Sequence, residues 1–398
     1  MPAVAIPVAS MEGLLERLDQ DDREGDALIS SVRKSLKFLM ETTLELGRTS
    51  QLGRGRYERS AVGSDCRNGY YTRDLETGFG LIERLRVPRL RRGAVQQTLF
   101  ARYQRRRGDV ERFVRSLFFA GVSTRGVGEV LEILLGFAPS ATAVSRMVAS
   151  IDREVKAYHQ RLLGDGFVYL FLDGLTVTLK EAPAAKKRLV LVAYGITLEG
   201  KRVLLDFRLA DSESQAEWDR FLRSLIDRGL LGQNLKLITT DGGTGLRAAV
   251  RDAYPNTPLQ LCWVHKLRNV DGHLHRRNQQ PCLQGARKIY QAPNRRAALH
   301  AFKEWQETWQ TLEPDAVRCL AKDLESLLTF LGCPQEHRKA VRTTNYIERL
   351  IRELRRRTRL MGAFADRMSC ERLFFGVVRR LARKWEARPA LPGFTQKT

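Results

Sequence analysis

From Phe167 to Trp263 the sequence changes its hydrophobic period in a fixed order, and two of its apolar runs close on an aspartate. Phe167 to Leu172, Lys187 to Thr197 and Lys201 to Leu209 are apolar runs rich in branched residues, the pattern of successive strands. Glu199-Gly200 between the last two predicts a tight antiparallel hairpin. Ser214 to Arg228 then takes helical spacing, Leu235 to Thr240 predicts a fourth strand, Gly245 to Tyr254 a helix, and Pro258 to Trp263 a fifth strand. Asp173 follows the first run and Asp241 the fourth.

Three strands, then helix, strand, helix, strand, is the order of the ribonuclease H-like α/β fold. In that fold one acidic residue lies on the first strand and a second just after the fourth, where Asp173 and Asp241 fall. A third carboxylate, Glu348 in TTNYIERLIRELRRRTR, sits near the start of a strongly basic helix capped by Thr343-Thr344-Asn345. Carboxylate oxygens are hard ligands, the kind that Mg²⁺ and Mn²⁺ prefer. Asp206, Asp211 and Glu213 are nearby acidic rivals, read as structural or solvent-facing.

The surroundings are basic. With 68 Lys+Arg against 45 Asp+Glu, the 398-residue chain carries a formal charge of +23, so a polyanion is the simplest partner. Clusters such as Arg105-Arg106-Arg107 and Arg355-Arg356-Arg357 favour phosphate, because guanidinium contacts are planar and bidentate. No apolar stretch approaches the ~18 residues of a membrane span. The N-terminus lacks a basic n-region, and six sparse cysteines form no framework, which together predict a cytoplasmic protein with access to DNA.

Seven segments follow from the periodicity: a helical segment at 1–60, a basic β-hairpin region at 61–108, a helix-turn-helix-like region at 109–160, the first part of the core at 161–271, an all-helical insertion at 272–340, the glutamate helix and last helix at 341–388, and a frayed tail at 389–398. In the third, Ser123 and Ser140 are predicted N-caps, Gly136 ends the helix between them, and the last helix runs through Val155. Helix-turn-helix docking would give Ser140, Thr142, Ser145 and Arg146 to base edges. The apolar stripe from Asp26 to Arg48, including Leu36 and Leu39, and the final helix ending at Trp385 are predicted pairing surfaces of a homodimer.

The stretches RNGYYTRDLETGFGLIERLRVPRLR, GVSTRGVGEVLEILLG, FLDGLTV, ESQAEWDRFLRSLIDRGL, TTDGGTGLRAAV, QLCWVHKLRNV and RTTNYIERLIRELRRRTRLMGAF occur in the order found in bacterial mutator-type transposases, which the chain resembles from about Arg67 to Trp385. The resemblance implies a triad of Asp173, Asp241 and Glu348 that holds two divalent ions per active site, Mg²⁺ with Mn²⁺ able to substitute, about 3.5–4 Å apart. It implies binding to terminal inverted repeats of double-stranded DNA, strand cleavage, joining of the 3′-hydroxyl to target DNA, a replicative route through a circular intermediate, and dimers. Cys262 and His265 become an active-site wall, with His265, Lys266 and Arg268 toward DNA. Arg349, Arg352, Arg355, Arg356, Arg357 and Arg359 would ring the Glu348 helix and face phosphates.

His273, His275 and Cys282 lie close behind in sequence, but the spacing lacks a paired CxxC or HxxxH, which speaks against zinc. Two other readings share the carboxylates: a ribonuclease H-like nuclease or junction resolvase, and a catalytically silent DNA-binding regulator. The helical N-terminal modules argue against the first, and the three intact acidic motifs give no support to the second.

Overall fold

The computed structural model describes residues 8–55, 57–58, 65–95, 99, 108–181, 184–361, 363–386 and 391–394. The chain forms two compact units, Met1–Ala149 and Ser150–Thr398. It is a mixed α/β protein whose first unit is mainly helical and whose second is built on a mixed sheet.

In the first unit a long helix, α1 (Val8–Leu52), lies against the hairpin of β1 (Arg67–Thr77) and β2 (Gly80–Leu90). Met40 and Leu44 meet Leu75, Ile82, Leu85 and Val87 in a small apolar core, with Leu36 packed at its margin. Leu36 therefore serves this core, while Phe38, Leu39 and Leu46 point to solvent at 69%, 60% and 64% exposure. The hairpin turns at Gly78-Phe79, and Gly80 has φ +111, a backbone angle that side chains disfavour. Pro88 pairs with Tyr70 without disrupting a ladder, since each strand of a two-stranded sheet has a free edge.

Helices α2 (Gly108–Ala120), α3 (Thr124–Leu135) and α4 (Ala141–Ala149) follow. Ser123 caps α3 by accepting from Gly126 N at 3.1 Å, and Gly136 ends it with φ 72. Ser140 caps α4 by accepting from Ala143 N at 3.2 Å. The predicted helix through Val155 is broken: α4 stops at Ala149 and α5 (Asp152–Gln160) begins anew. The break has a packing reason. Val144, Met147 and Val148 are buried in one unit, whereas Asp152 and Glu154 are held in the other by Arg372 and Arg379.

The second unit carries a five-stranded sheet in the order β5-β4-β3-β6-β7. β3 (Phe167–Glu181), β4 (Ala184–Thr197) and β5 (Arg202–Ala210) are antiparallel, and β6 (Leu237–Thr240) and β7 (Leu259–Leu261) run parallel to β3. The crossover helices α6 (Gln215–Asp227) and α7 (Thr244–Ala253) cover one face. Trp218, Phe221, Leu222 and Leu225 from α6 and Leu246, Ala249 and Val250 from α7 pack on Leu170, Leu172, Leu191 and Ile238. Truncating a buried aromatic such as Phe221 to alanine costs about 3–5 kcal/mol.

The insertion is helical throughout: α8 (Trp263–Asp271), α9 (Gln279–Gln291), α10 (Arg295–Trp309), α11 (Pro314–Lys322), α12 (Leu324–Leu328), a short 3₁₀ turn and α13 (Gln335–Val341). Then α14 (Asn345–Met361) bears Glu348, and α15 (Arg367–Glu386) closes the unit. Leu373, Phe374, Val377, Val378 and Leu381 of α15 are all buried, so its apolar stripe serves the core and is no free pairing surface. Leu391–Phe394, expected to fray, instead dock: Leu391 N donates to Gly200 O at 3.2 Å and Phe394 stacks on His337 with ring centroids 3.8 Å apart. Among the described residues no helix is long and apolar enough to cross a membrane.

Candidate active site

The register of three parallel strands lines up three reactive side chains. Leu172 of β3 pairs with Thr240 of β6, which pairs with Leu261 of β7. The next residues on these strands are Asp173, Asp241 and Cys262. Asp173 is not at a strand end, as the sequence predicts, because β3 continues eight residues further, pairing with β4 as far as Glu181↔Ala184. Gly174 permits this: Leu189 Cδ1 lies 3.1 Å from where a Cβ would stand.

Asp173 is 2% exposed. Its Oδ1 accepts from Gly174 N at 2.8 Å, and its Oδ2 is buried without a hydrogen-bond partner. Burial pushes its carboxyl up to about 6 and the Asp241 charge adds to the shift, while the His265 cation, Gly174 N and the Thr344 hydroxyl oppose it. Asp241 is half-buried and accepts from Gly243 N at 3.1 Å.

Cys262 and His265 form the wall beside them. Cys262 N donates to Thr240 O at 2.8 Å, extending the strand by one bond into α8. Its Sγ accepts from Thr344 N at 3.3 Å and Thr344 Oγ1 at 3.4 Å. Burial disfavours the thiolate, yet His265 and Thr344 bring the thiol below its ordinary range. Burial likewise disfavours a charged His265, but Cys262, Asp173 and Asp241 together raise it to about 9. The wall thus presents a cation next to the buried carboxylate at neutral pH.

Glu348 reaches the same region by a different route. Thr239 Oγ1 donates to Val341 O at 2.7 Å and Trp263 N to Arg342 O at 3.2 Å, which ties the turn before α14 to β6 and α8. Glu348 N then donates to Thr344 O at 3.0 Å in the first turn of α14. Its Oε1 lies 2.9 Å from Arg268 Nη2, an ionic approach outside hydrogen-bond alignment. Among the described residues no three Asp, Glu, His or Cys side chains are grouped closely enough to hold a metal ion as they stand. The strands bring Asp173 and Asp241 together, and Glu348 is turned toward Arg268.

The basic residues sort by exposure. Arg352, Arg355 and Arg356 are exposed on α14, but the arginines do not ring the helix: Ile347, Leu350, Ile351 and Leu354 form a buried face. Arg357 is also buried and donates to Glu353 Oε2 at 2.7 Å. The side chains of Arg349 and Arg359, and the Arg105-Arg106-Arg107 cluster, lie outside the described residues. Lys266 is buried, its Nζ held by Asp323 Oδ2 at 2.6 Å, and Arg247 holds the other oxygen at 3.0 Å. Arg268 is exposed.

In the first unit, Thr142, Ser145 and Arg146 are exposed on α4, and Ser140 is spent on its cap. Of the residues weighed against zinc, His275 Nδ1 is 3.1 Å from Glu313 and Cys282 is buried beneath Trp305, whose Nε1 donates to its carbonyl at 2.9 Å.

Comparison with known proteins agrees along almost the whole chain. The profile of the Mutator family of transposases matches residues 9–388. A transposase for insertion sequence element ISRM5 from Rhizobium meliloti is 35% identical over 87% of this chain and 87% of its own length. A transposase for insertion sequence element IS406 from Burkholderia multivorans is 33% identical over 88% of this chain and 90% of its own. The transposase for insertion sequence element IS256 in transposon Tn4001 from Staphylococcus aureus is 30% identical over 88% and 90%. With its strand register, its acidic row and this match considered together, the chain belongs to the Mutator family of transposases.

Proposed function

We propose that this chain is the transposase of an insertion sequence element, which binds terminal inverted repeats, cleaves DNA strands by metal-dependent hydrolysis and joins the 3′-hydroxyl end to target DNA. The observation that carries the reading is the row of Asp173 and Asp241 past the Leu172/Thr240/Leu261 register, with one buried carboxylate oxygen left without a partner in a chain of charge +23. The strand order β5-β4-β3-β6-β7 supports a ribonuclease H-like core. The replicative route through a circular intermediate rests on the family likeness.

The donor set fits Mg²⁺ or Mn²⁺. Asp173 Oδ2 is a hard, buried, unpartnered oxygen, and Asp241 has no cation pairing with it among the described residues. Asp173, Asp241 and Glu348 would hold the ions, Glu348 by exchanging Arg268 for them. Divalent ions, when bound, activate the attacking water or 3′-hydroxyl and stabilise the leaving oxygen.

The rest is done by the chain itself. His265, charged beside Asp173, attracts the scissile phosphate, and Cys262 with Thr344 fixes its orientation. Arg268, once released from Glu348, and Arg352, Arg355 and Arg356 on α14 take the DNA backbone. In the first unit Thr142, Ser145 and Arg146 meet the element end. Phe38, Leu39 and Leu46 of α1 supply an apolar face for a homodimer. The test is incubation of purified protein with a labelled element end and a target plasmid, with and without Mg²⁺. Cleaved and joined products should appear only with the metal; binding without either product would remove the enzymatic reading.

A further inference from the structure

The loop before α6 carries a carboxylate that the triad leaves out. Glu213 precedes Ser214, the N-cap of α6, whose Oγ accepts from Glu217 N at 3.4 Å. This loop runs hard against the turn Asp241-Gly242-Gly243-Thr244-Gly245. A Cβ on Gly245 would stand 2.8 Å from Gln215 N and 3.0 Å from Glu213 O, closer than a side chain can approach backbone. A Cβ on Gly243 would stand 2.9 Å from Glu213 Oε1 and 3.6 Å from Asp241 Oδ1. The two carboxylates converge on the bare face of one glycine.

Like charges so placed are costly unless a cation lies with them. Asp211, two residues earlier, has Arg188 and Arg367 as ion-pair partners. Glu213 has no such partner among the described residues. A second observation points to a ligand independently: Asp173, 2% exposed with Oδ2 unpartnered, follows the residue that pairs with Thr240, immediately before Asp241. Glu348, meanwhile, faces Arg268.

We propose that Glu213 is a fourth carboxylate of the acidic centre, drawn in with Asp241 and Asp173 when a divalent, oxygen-seeking cation binds, since the three are not grouped closely enough as they stand; this rests on the metal-dependent reading above. The glycines of the 241–245 turn then have a common purpose, since any side chain at 243 would part the two carboxylates and any at 245 would push the Glu213 loop away.

The test is Mn²⁺ titration of the full-length protein without DNA, followed by calorimetry. Wild type should bind, and Glu213→Gln should lose about tenfold in affinity. Gly243→Ala should lose a similar amount by putting a methyl group between the carboxylates, and Asp211→Asn should match wild type. Fe²⁺-generated radicals should cut the wild-type backbone beside residues 213 and 241–243, a mark that a merely structural glutamate does not produce. Wild-type affinity in both Glu213→Gln and Gly243→Ala, beside a loss in Asp241→Asn, overturns the role of Glu213 and leaves the metal reading standing. An equal loss in Asp211→Asn overturns it too, as an effect of bulk charge. Absence of binding in wild type, or no loss in Asp241→Asn, overturns both.

Discussion

Each unit buries a charged side chain, and the two are treated in opposite ways. In the first unit Arg48 is almost fully buried and has its own counter-ion: its terminal nitrogens donate to Glu45 Oε2 at 2.6 Å, to Tyr70 Oη at 2.9 Å and to Gly69 O at 3.1 Å, and its Nε alone has no partner among the described residues. Burial works against the Glu45 carboxylate, but Arg48, Tyr70 and Arg67 hold it below the ordinary range. In the second unit Asp173 is as deeply buried, yet its oxygen Oδ2 is unpartnered and its carboxyl is pushed up to about 6. A group that is both buried and unanswered costs stability unless something outside the chain completes it. The contrast separates a buried charge held by its own counter-ion from one that, on the proposed function, a bound cation completes.

The sharpest way to break the contrast is to remove the acidic row. Asp173→Asn, Asp241→Asn or Glu348→Gln should lower cleavage and joining by about three orders of magnitude, while binding of the element end stays near wild type. A gel-shift and a strand-transfer assay on the same samples read both. Near-normal joining by any one variant would remove that residue from the centre.

Stability should respond with opposite signs. Arg48→Ala leaves Glu45 to Tyr70 and Arg67 and should destabilise the first unit by about 1–2 kcal/mol, seen as earlier proteolysis of the fragment before residue 150. Asp173→Asn should stabilise the metal-free protein by about 1–3 kcal/mol at pH 7.5, read as a higher melting temperature in EDTA. The sign follows from the direction of the shift: a carboxyl raised from 3.8 to about 6 by burial weakens the fold above that pH, and the lost stability returns as pH falls through 6 toward 3.8. A melting temperature lowered by Asp173→Asn would mean that the protein already satisfies this charge.

Smaller effects belong to the surface. Arg356→Ala should weaken DNA binding about equally for element and random sequence, and reduce the salt slope by about one. Changing exposed Phe38 and Leu39 to glutamate should leave the unfolding free energy within about 0.5 kcal/mol of wild type, yet shift light scattering of the free protein toward monomer. Unchanged association would remove α1 as the pairing surface.

Much of the second unit is legible in the sequence, because its periods are strong. The five strands, α6 and α7 follow from local rules of alternation and helical spacing, as do the caps Ser123 and Ser140 in the first unit. What local rules miss are features set by distant neighbours. The first strand reads as ending at Leu172, but Gly174 lets Leu189 approach and β3 runs on. Lys266 reads as a surface cation until Asp323, from the far end of the insertion, is brought to it. The arginines of α14 read as ringing most of the helix, but Ile347, Leu350, Ile351 and Leu354 between them carry a buried face that packing alone reveals. Glu213 reads as structural or solvent-facing because its closeness to Asp241 depends on Gly243 and Gly245, far along the sequence.

On the proposed function, Asp173, with its unpartnered Oδ2, and Asp241 are completed by a divalent cation in order to join DNA. The most direct measurement mixes purified protein, a labelled element end and a target plasmid, and compares wild type with Asp241→Asn in Mg²⁺ and in EDTA, scoring bound and joined DNA in each sample. Bound DNA in all four samples, with joined product only from wild type in Mg²⁺, is the predicted result. Joined product in EDTA, or from Asp241→Asn in Mg²⁺, would contradict it.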